Sequence, residues 1–358
     1  MGQKEAIEER KGLEVEVLDE TTSQEKDVTV IVVPQHSESM SVRPEPLGKG
    51  THAADSRTNC GVSLIQLKFV NLVGFIVVIL FNYTSSAGYF SSYGIGTVSR
   101  MNPTKISPAG GAFAIWAYIY ILQAFFVVYQ FVWPKEDEAL LLHGVGFWYL
   151  GTCLCNSFWI VAFVQGNAAA LWCSMFIIFG LLASICKVYM NASCWRRTRP
   201  GGVFQFLALD VHFSLYGGWV TVASIVNTSI AINTAWGADP ATASACSVIM
   251  LVVALVLNTI IAVTRRDCVW PGVLAWASNF ISAAHQDDTA VSTCALVVCI
   301  LIGIVSAGVG VHNIFMLFRG RNATRDENTE GATGGNLPTS TAGLLETRVA
   351  VPSETSGK

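Results

Sequence analysis

Residues 243–263 read ASACSVIMLVVALVLNTIIAV, twenty-one consecutive positions without a charge. A helix that crosses the hydrocarbon core of a bilayer needs about 20 such residues, because the core is about 30 Å thick and each residue rises about 1.5 Å. The stretch therefore predicts a transmembrane helix. Seven more segments qualify or come close: 64–83, 112–132, 144–164, 168–189, 209–231, 269–285 and 291–317. Segment 269–285 is the shortest and carries Pro271 in its first turn, where a missing N–H costs nothing. The predicted fold class is all-α, a polytopic membrane helix bundle of about eight transmembrane helices.

Composition supports this reading. Of 358 residues, 52% are hydrophobic and 13% charged, with a mean hydropathy of +0.49, whereas a water-soluble domain carries about 25% charged residues. The first 61 residues hold 7 basic and 12 acidic residues and the last 40 hold 5 of each, leaving 10 and 8 for the 257 between. Two polar tails thus flank an apolar body. A net charge of −3, with no Lys/Arg cluster beyond Arg196, Arg197 and Arg199, excludes a nucleic-acid partner. Most of the ten cysteines, Cys153, Cys246 and Cys299 among them, sit inside apolar runs without CxxC spacing, so they read as small buried hydrophobes rather than disulfides or metal ligands.

Lys and Arg accumulate on the cytoplasmic side of a membrane, which tests the helix count separately. With eight spans and a cytosolic N-terminus, the inner loops hold Lys135, the Arg196–Arg197–Arg199 group, and Arg265 with Arg266; Arg319 and Arg321 open the C-terminal tail. The outer loops hold Arg100 and Lys105 and otherwise none. The expectation is a multi-pass integral membrane protein with both termini cytosolic. Trp133, Trp195 and Trp236 fall near predicted interfaces and read as belt anchors, and Lys68 and Lys187 near helix ends, where a long stem reaches the headgroups.

Between apolar helices in lipid, polar and aromatic side chains at helical spacing face either a neighbour or a cavity. Segment 209–231 has the clearest stripe: His212, Tyr216, Trp219, Ala223 and Asn227 share a face, with Gly217 and Gly218 on its shoulder. Segment 112–132 aligns Phe113, Trp116, Tyr120 and Gln123, and segment 144–164 aligns Trp148, Thr152, Asn156 and Trp159. Each stripe alone is compatible with plain packing. Three together suit a lining for a flat, largely apolar ligand with a few polar edges.

Three pieces of the chain resemble the translocator protein family, also called tryptophan-rich sensory proteins or peripheral benzodiazepine receptors. They are Ser107–Pro108 leading into Phe113-Ala-Ile-Trp116-Ala-Tyr-Ile-Tyr120, then Asn156-Ser-Phe-Trp159, and Tyr216-Gly-Gly-Trp219 running to Ala223 and Asn227. The last, a Tyr-x2-Trp-x3-Ala-x3-Asn frame, is the most specific. The resemblance implies a five-helix membrane module that binds tetrapyrroles, and in some members sterols or synthetic aromatic ligands. It implies a ligand-binding site of Trp116, Tyr120, Asn156, Trp159, Tyr216, Trp219, Ala223 and Asn227, to which the stripe on segment 112–132 adds Gln123.

Two departures stand out. Gly110-Gly-Ala112 replaces the Trp and paired prolines that precede this point in short members, and no Tyr followed by a basic residue comes after Asn227, which lowers the expectation of sterol binding. The resemblance spans roughly residues 64–233. The chain then divides into a disordered cytosolic tail (1–61), the five-helix module (62–233), three additional transmembrane helices (234–318) and a second disordered cytosolic tail (319–358). A longer related subgroup is the closer match.

The function expected is a membrane binding or sensory protein for a flat hydrophobic, porphyrin-like ligand. No cofactor is required, no metal site is expected, and the partners are membrane lipid and the small-molecule ligand, with a homo-oligomer left open. A secondary transporter is the alternative, although no inverted repeat and no charged pair deep in the membrane accompany it. An enzyme is disfavoured because the apolar segments lack an HExxH, a nucleophile elbow or clustered acids. His285, Asp287 and Asp288 form a compact polar trio that reads as a solvated outer loop.

Overall fold

The computed structural model describes residues 61–196 and 202–333, so the expected tail over 1–61 lies almost wholly outside the described residues. Those residues form helices and connecting turns, with no β-sheet among them. In chain order the helices are α1 (Leu64–Ser86), α2 (Ile95–Met101), α3 (Ile115–Tyr129), α4 (Trp148–Phe163), α5 (Ala168–Arg196), α6 (Val203–Trp236), α7 (Pro240–Arg265), α8 (Val269–Ala284) and α9 (Thr289–Thr333).

Local chemistry sets several of the ends. Ser63 caps α1 in a reciprocal box: its hydroxyl accepts from Gln66 N at 3.4 Å, and its own N–H donates to Gln66 Oε1 at 2.9 Å. Asp239 caps α7 by accepting from the N–H groups of Ala241 and Thr242, both at 3.1 Å, with Pro240 in the first turn. The same helix stops where Arg266 turns left-handed, at φ 53°. Helix α9 continues to Thr333, past residue 319 where composition places the second tail. Elongating an existing helix is far easier than nucleating one, so a helix begun in the apolar segment runs on into polar sequence.

Among the described residues, six helical stretches are long and apolar enough to cross a membrane: Leu64–Ser86, Gly110–Val132, Ala168–Ala192, Val203–Trp236, Pro240–Arg265 and Thr289–Met316. Helices α4 and α8 have 16 residues each, about 24 Å at 1.5 Å per residue and short of the roughly 30 Å core. In the first case the apolar run is divided: a π-turn over Leu140–Val145 and a sharp bend at Gly146 (φ 47°) precede α4. The architecture is an all-helical, multi-pass membrane bundle.

Helices α1, α3, α6, α5 and α4 close a ring, each packing on the next and α4 returning to α1. Helices α7, α8 and α9 pack on one another and join the ring through α8 against α6. Of the six long spans, α6 is the most enclosed and α9 the least, its outward face presenting Ile300, Ile304 and Val311. The α6–α8 contact depends on Gly217 and Gly218. A Cβ on Gly218 would lie 2.9 Å from the Trp270 carbonyl oxygen and 3.0 Å from Val273 Cβ, and one on Gly217 would overlap the Trp270 ring. Small residues let helix backbones approach in lipid, where little hydrophobic force drives helices together.

Several polar assignments change once the helices are packed. Trp133 is buried, and its indole N–H donates to the Asp137 carbonyl at 3.1 Å, whereas Trp236 is exposed as a belt residue should be; the side chain of Trp195 lies outside the described residues. Lys68 turns inward, with its ammonium 3.9 Å from Glu138, instead of reaching for headgroups. Trp148 is exposed on the outer face of α4, apart from Thr152, Asn156 and Trp159, which are buried. Two successive four-residue steps overshoot the 3.6-residue turn, so Tyr149 takes the inward place.

Candidate functional site

Three helices of the ring bring the stripes together. Trp116, one residue into α3, stands at their meeting point. Its ring stacks on Tyr120 (centroids 5.7 Å, planes 19° apart) and on Trp159 of α4 (5.9 Å, 29°). Tyr216 and Trp219 of α6 meet it edge-on, both at 6.3 Å, and Phe113 meets Trp219 edge-on at 5.8 Å. These are the offset and T-shaped arrangements that aromatic quadrupoles favour.

Amide groups brace this cluster from behind. Asn227 Oδ1 accepts from Trp159 Nε1 at 2.9 Å and from the Ser174 hydroxyl at 3.1 Å, so one carboxamide joins α4, α5 and α6. Asn156 Nδ2 donates to the Tyr216 hydroxyl at 3.2 Å, and its Oδ1 accepts from Asn82 Nδ2 at 3.1 Å; Asn82 Oδ1 in turn accepts from the Tyr120 hydroxyl at 2.9 Å. A second chain therefore runs α3–α1–α4–α6. Both amides spend their hydrogen bonds inside the bundle, which makes them struts for the rings.

In front of the rings lies a narrow cavity, open at its mouth, whose volume of about 30 Å³ is well below the roughly 300–1,000 Å³ of a small-ligand pocket, so a ligand larger than a few atoms needs its walls to part. Of the residues expected from sequence, Trp116, Trp159, Trp219, Ala223 and Asn227 line it, while Tyr120, Tyr216 and Asn156 stand in the supporting layer. Gln123 is fully buried, and neither of its amide atoms has a hydrogen-bond partner. It does not line the cavity.

Other residues at the site went unseen in the sequence. Helix α2 supplies Ile95 and Ser99 from what reads as a plain outer loop, and Phe163 continues the Trp159 face one turn on, stacking at 5.4 Å. That four-residue step from Trp159 was available as a signal. Asn82 shows in the sequence only as part of an Asn-x-Thr triplet, and Ser174 sits in an unbroken apolar run; no local pattern marks either. Trp219 Nε1 is buried in the cavity wall without an acceptor. Among the described residues no group of His, Cys, Asp or Glu is placed to hold a metal ion.

A multi-pass membrane bundle with an aromatic cavity between its helices is the class this geometry defines. The chain matches the family model described as TSPO-like protein over residues 68–308, well over half its length, and it belongs to that family. The match runs past residue 233 through α7, α8 and the first part of α9, to residue 308, so the additional helices fall largely within the family match, as a longer related subgroup requires. No curated protein and no solved structure matches the chain.

Proposed function

We propose that the protein is a membrane receptor for a flat, largely apolar ligand of porphyrin-like shape, held between α3, α4 and α6 in the cavity in front of the rings, which widens to admit it. The observation that carries this reading is the Trp116 cluster: stacked and edge-on rings from three helices facing open space, with their orientation fixed by Asn227 and Asn156. The unpartnered Trp219 N–H supports a ligand with a hydrogen-bond acceptor on its edge, because a buried donor without a partner costs about 1–3 kcal/mol. Trp116, Trp159, Trp219 and Ala223 would touch the ligand, and Tyr120, Tyr216, Asn156 and Asn227 would hold those rings.

The topology that goes with this reading has eight spans, with α4 and α8 crossing a locally thinned or protein-shielded part of the bilayer and both termini cytosolic. Residues 62–233 would form the binding module and 234–318 the three added spans. Reporter fusions after Lys358 and within residues 286–290 should lie on opposite sides; the same side for both rules the eight-span topology out.

Titrating the detergent-purified full chain with protoporphyrin tests the ligand class. A Soret shift and quenched tryptophan fluorescence are expected, both lost in a Trp159→Phe, Trp219→Phe variant. Undiminished binding by that variant would place the ligand elsewhere, and saturable counterflow in vesicles would identify a carrier instead.

A further inference from the structure

The segment that leads into α3 supplies Pro108 and Phe113 to the cavity wall, and it is fastened to a helix outside the five-helix ring. Ala109 N–H donates to the Phe280 carbonyl at 3.1 Å, and Trp276 Nε1 donates to the Ala112 carbonyl at 3.1 Å. His285 Nε2 lies 3.0 Å from the Ser107 carbonyl oxygen. Lys105 Nζ is 3.3 Å from both Asp287 and Asp288, and Asp288 is hydrogen-bonded in turn to Ser244 at the start of α7. The contacts run in order. As the segment advances from residue 105 to 112, its partners retreat from Asp288 to Trp276, so the two segments lie antiparallel and the fastening extends over the whole approach to the cavity.

The segment is shaped for this contact. A Cβ on Gly111 would stand 2.6 Å from Phe280 Cε1, so a side chain there would push the Phe280 ring away. Trp276 and Phe280 brace each other, with centroids 4.9 Å apart. None of these α8 residues lines the cavity.

We infer that α8 controls access to the cavity by clamping residues 105–112, with Trp276 and Phe280 as positioning residues that act through Pro108 and Phe113. This rests on the cavity being the ligand site. It gives the three added helices a role in binding: the ring forms the aromatic walls, and α8 holds the wall segment through which a ligand enters and leaves.

Trp276→Phe tests the clamp, because it deletes the N–H donated to Ala112 and keeps an aromatic ring beside Phe280. Two measurements on the full chain in detergent separate the clamp from the ligand reading. Hydrogen–deuterium exchange should be faster in the variant for a peptide covering residues 103–114, at a melting temperature within a degree or two of wild type. Stopped-flow mixing with protoporphyrin should give association and dissociation rates that both rise about three- to tenfold, the scale of one lost hydrogen bond. A purely structural defect would lower the binding amplitude and leave both rates alone.

Unchanged exchange, or faster exchange with unchanged rates, overturns the clamp. Should Trp276→Phe fail to fold, Lys105→Gln serves in its place and is expected to move both measurements the same way. Should wild type bind no protoporphyrin, the ligand reading fails by itself, and the exchange measurement alone decides the clamp.

Discussion

The Trp270 indole covers Gly217 so closely that a methyl group on Gly217 would overlap its six-membered ring, and the next residue, Gly218, brings the α6 backbone against the Trp270 carbonyl. This pair of glycines is the seat on which α8 docks to the ring. Gly218→Ala meets backbone and a β-branched side chain, neither of which can swing aside, and should destabilise the protein by about 1–3 kcal/mol, the usual cost of overpacking. Gly303→Ala is the comparison: its Cβ would meet only Ala275 Cβ at 4.0 Å, which is ordinary contact. Thermal unfolding in one detergent should separate the two, with Gly303→Ala at or slightly above wild type.

Asn227→Ala should affect stability and binding together. The substitution removes the acceptor for Trp159 Nε1 and for Ser174, and an unsatisfied buried donor costs about 1–3 kcal/mol. The released Trp159 ring should also loosen the cavity wall and raise the protoporphyrin dissociation constant by about tenfold or more. A melting temperature that falls while affinity stays unchanged would assign Asn227 to packing alone.

Gln123→Met should do the opposite. Both amide atoms of Gln123 are buried without partners; the Tyr149 hydroxyl is a neighbour but does not meet hydrogen-bond geometry. Replacing an unsatisfied polar group by an apolar one of similar shape is near neutral or stabilising. The variant should melt at or above the wild-type temperature and bind protoporphyrin as wild type does. A tenfold loss of affinity would return Gln123 to the binding site.

The clamp should loosen in acid. Lys105 holds the Asp287 carboxyl below its ordinary range, and Ser244, the Val291 N–H and Lys105 do the same for Asp288. Depressed carboxyl values mean that their contribution is present above the unfolded carboxylate range and lost as pH falls through the lowered values. Lys105 is raised by Asp287 first, so its part is complete below the ordinary lysine range and lost only as pH climbs past the raised value. His285, on the same turn as the two acids, faces the segment through Ser107. Exchange of residues 103–114 should therefore be slowest near neutral pH, after correction for intrinsic exchange, and should speed up at acid pH and in high salt. Lys105→Gln should remove that acid and salt response.

The class of fold was legible because a bilayer makes a demand that a one-dimensional pattern can meet. Every backbone polar group must be satisfied inside the apolar run, so charge-free stretches of span length, such as residues 243–263, dictate helices whatever their neighbours. Helical period alone put Trp116, Trp159, Trp219, Ala223 and Asn227 on inward faces, and they line the cavity. Gln123 satisfied the same period, yet period fixes only the face of a helix and not the depth along it, so it lies buried beyond the cavity. The hydrogen bonds that brace the rings join residues 38 to 74 positions apart, Tyr120 with Asn82 and Asn82 with Asn156. No local pattern encodes such pairings. The place of the added helices was likewise decided in three dimensions, because the fit of Trp270 over Gly217 and the antiparallel fastening of residues 105–112 to α8 depend on two distant segments having complementary shape and charge at one spot.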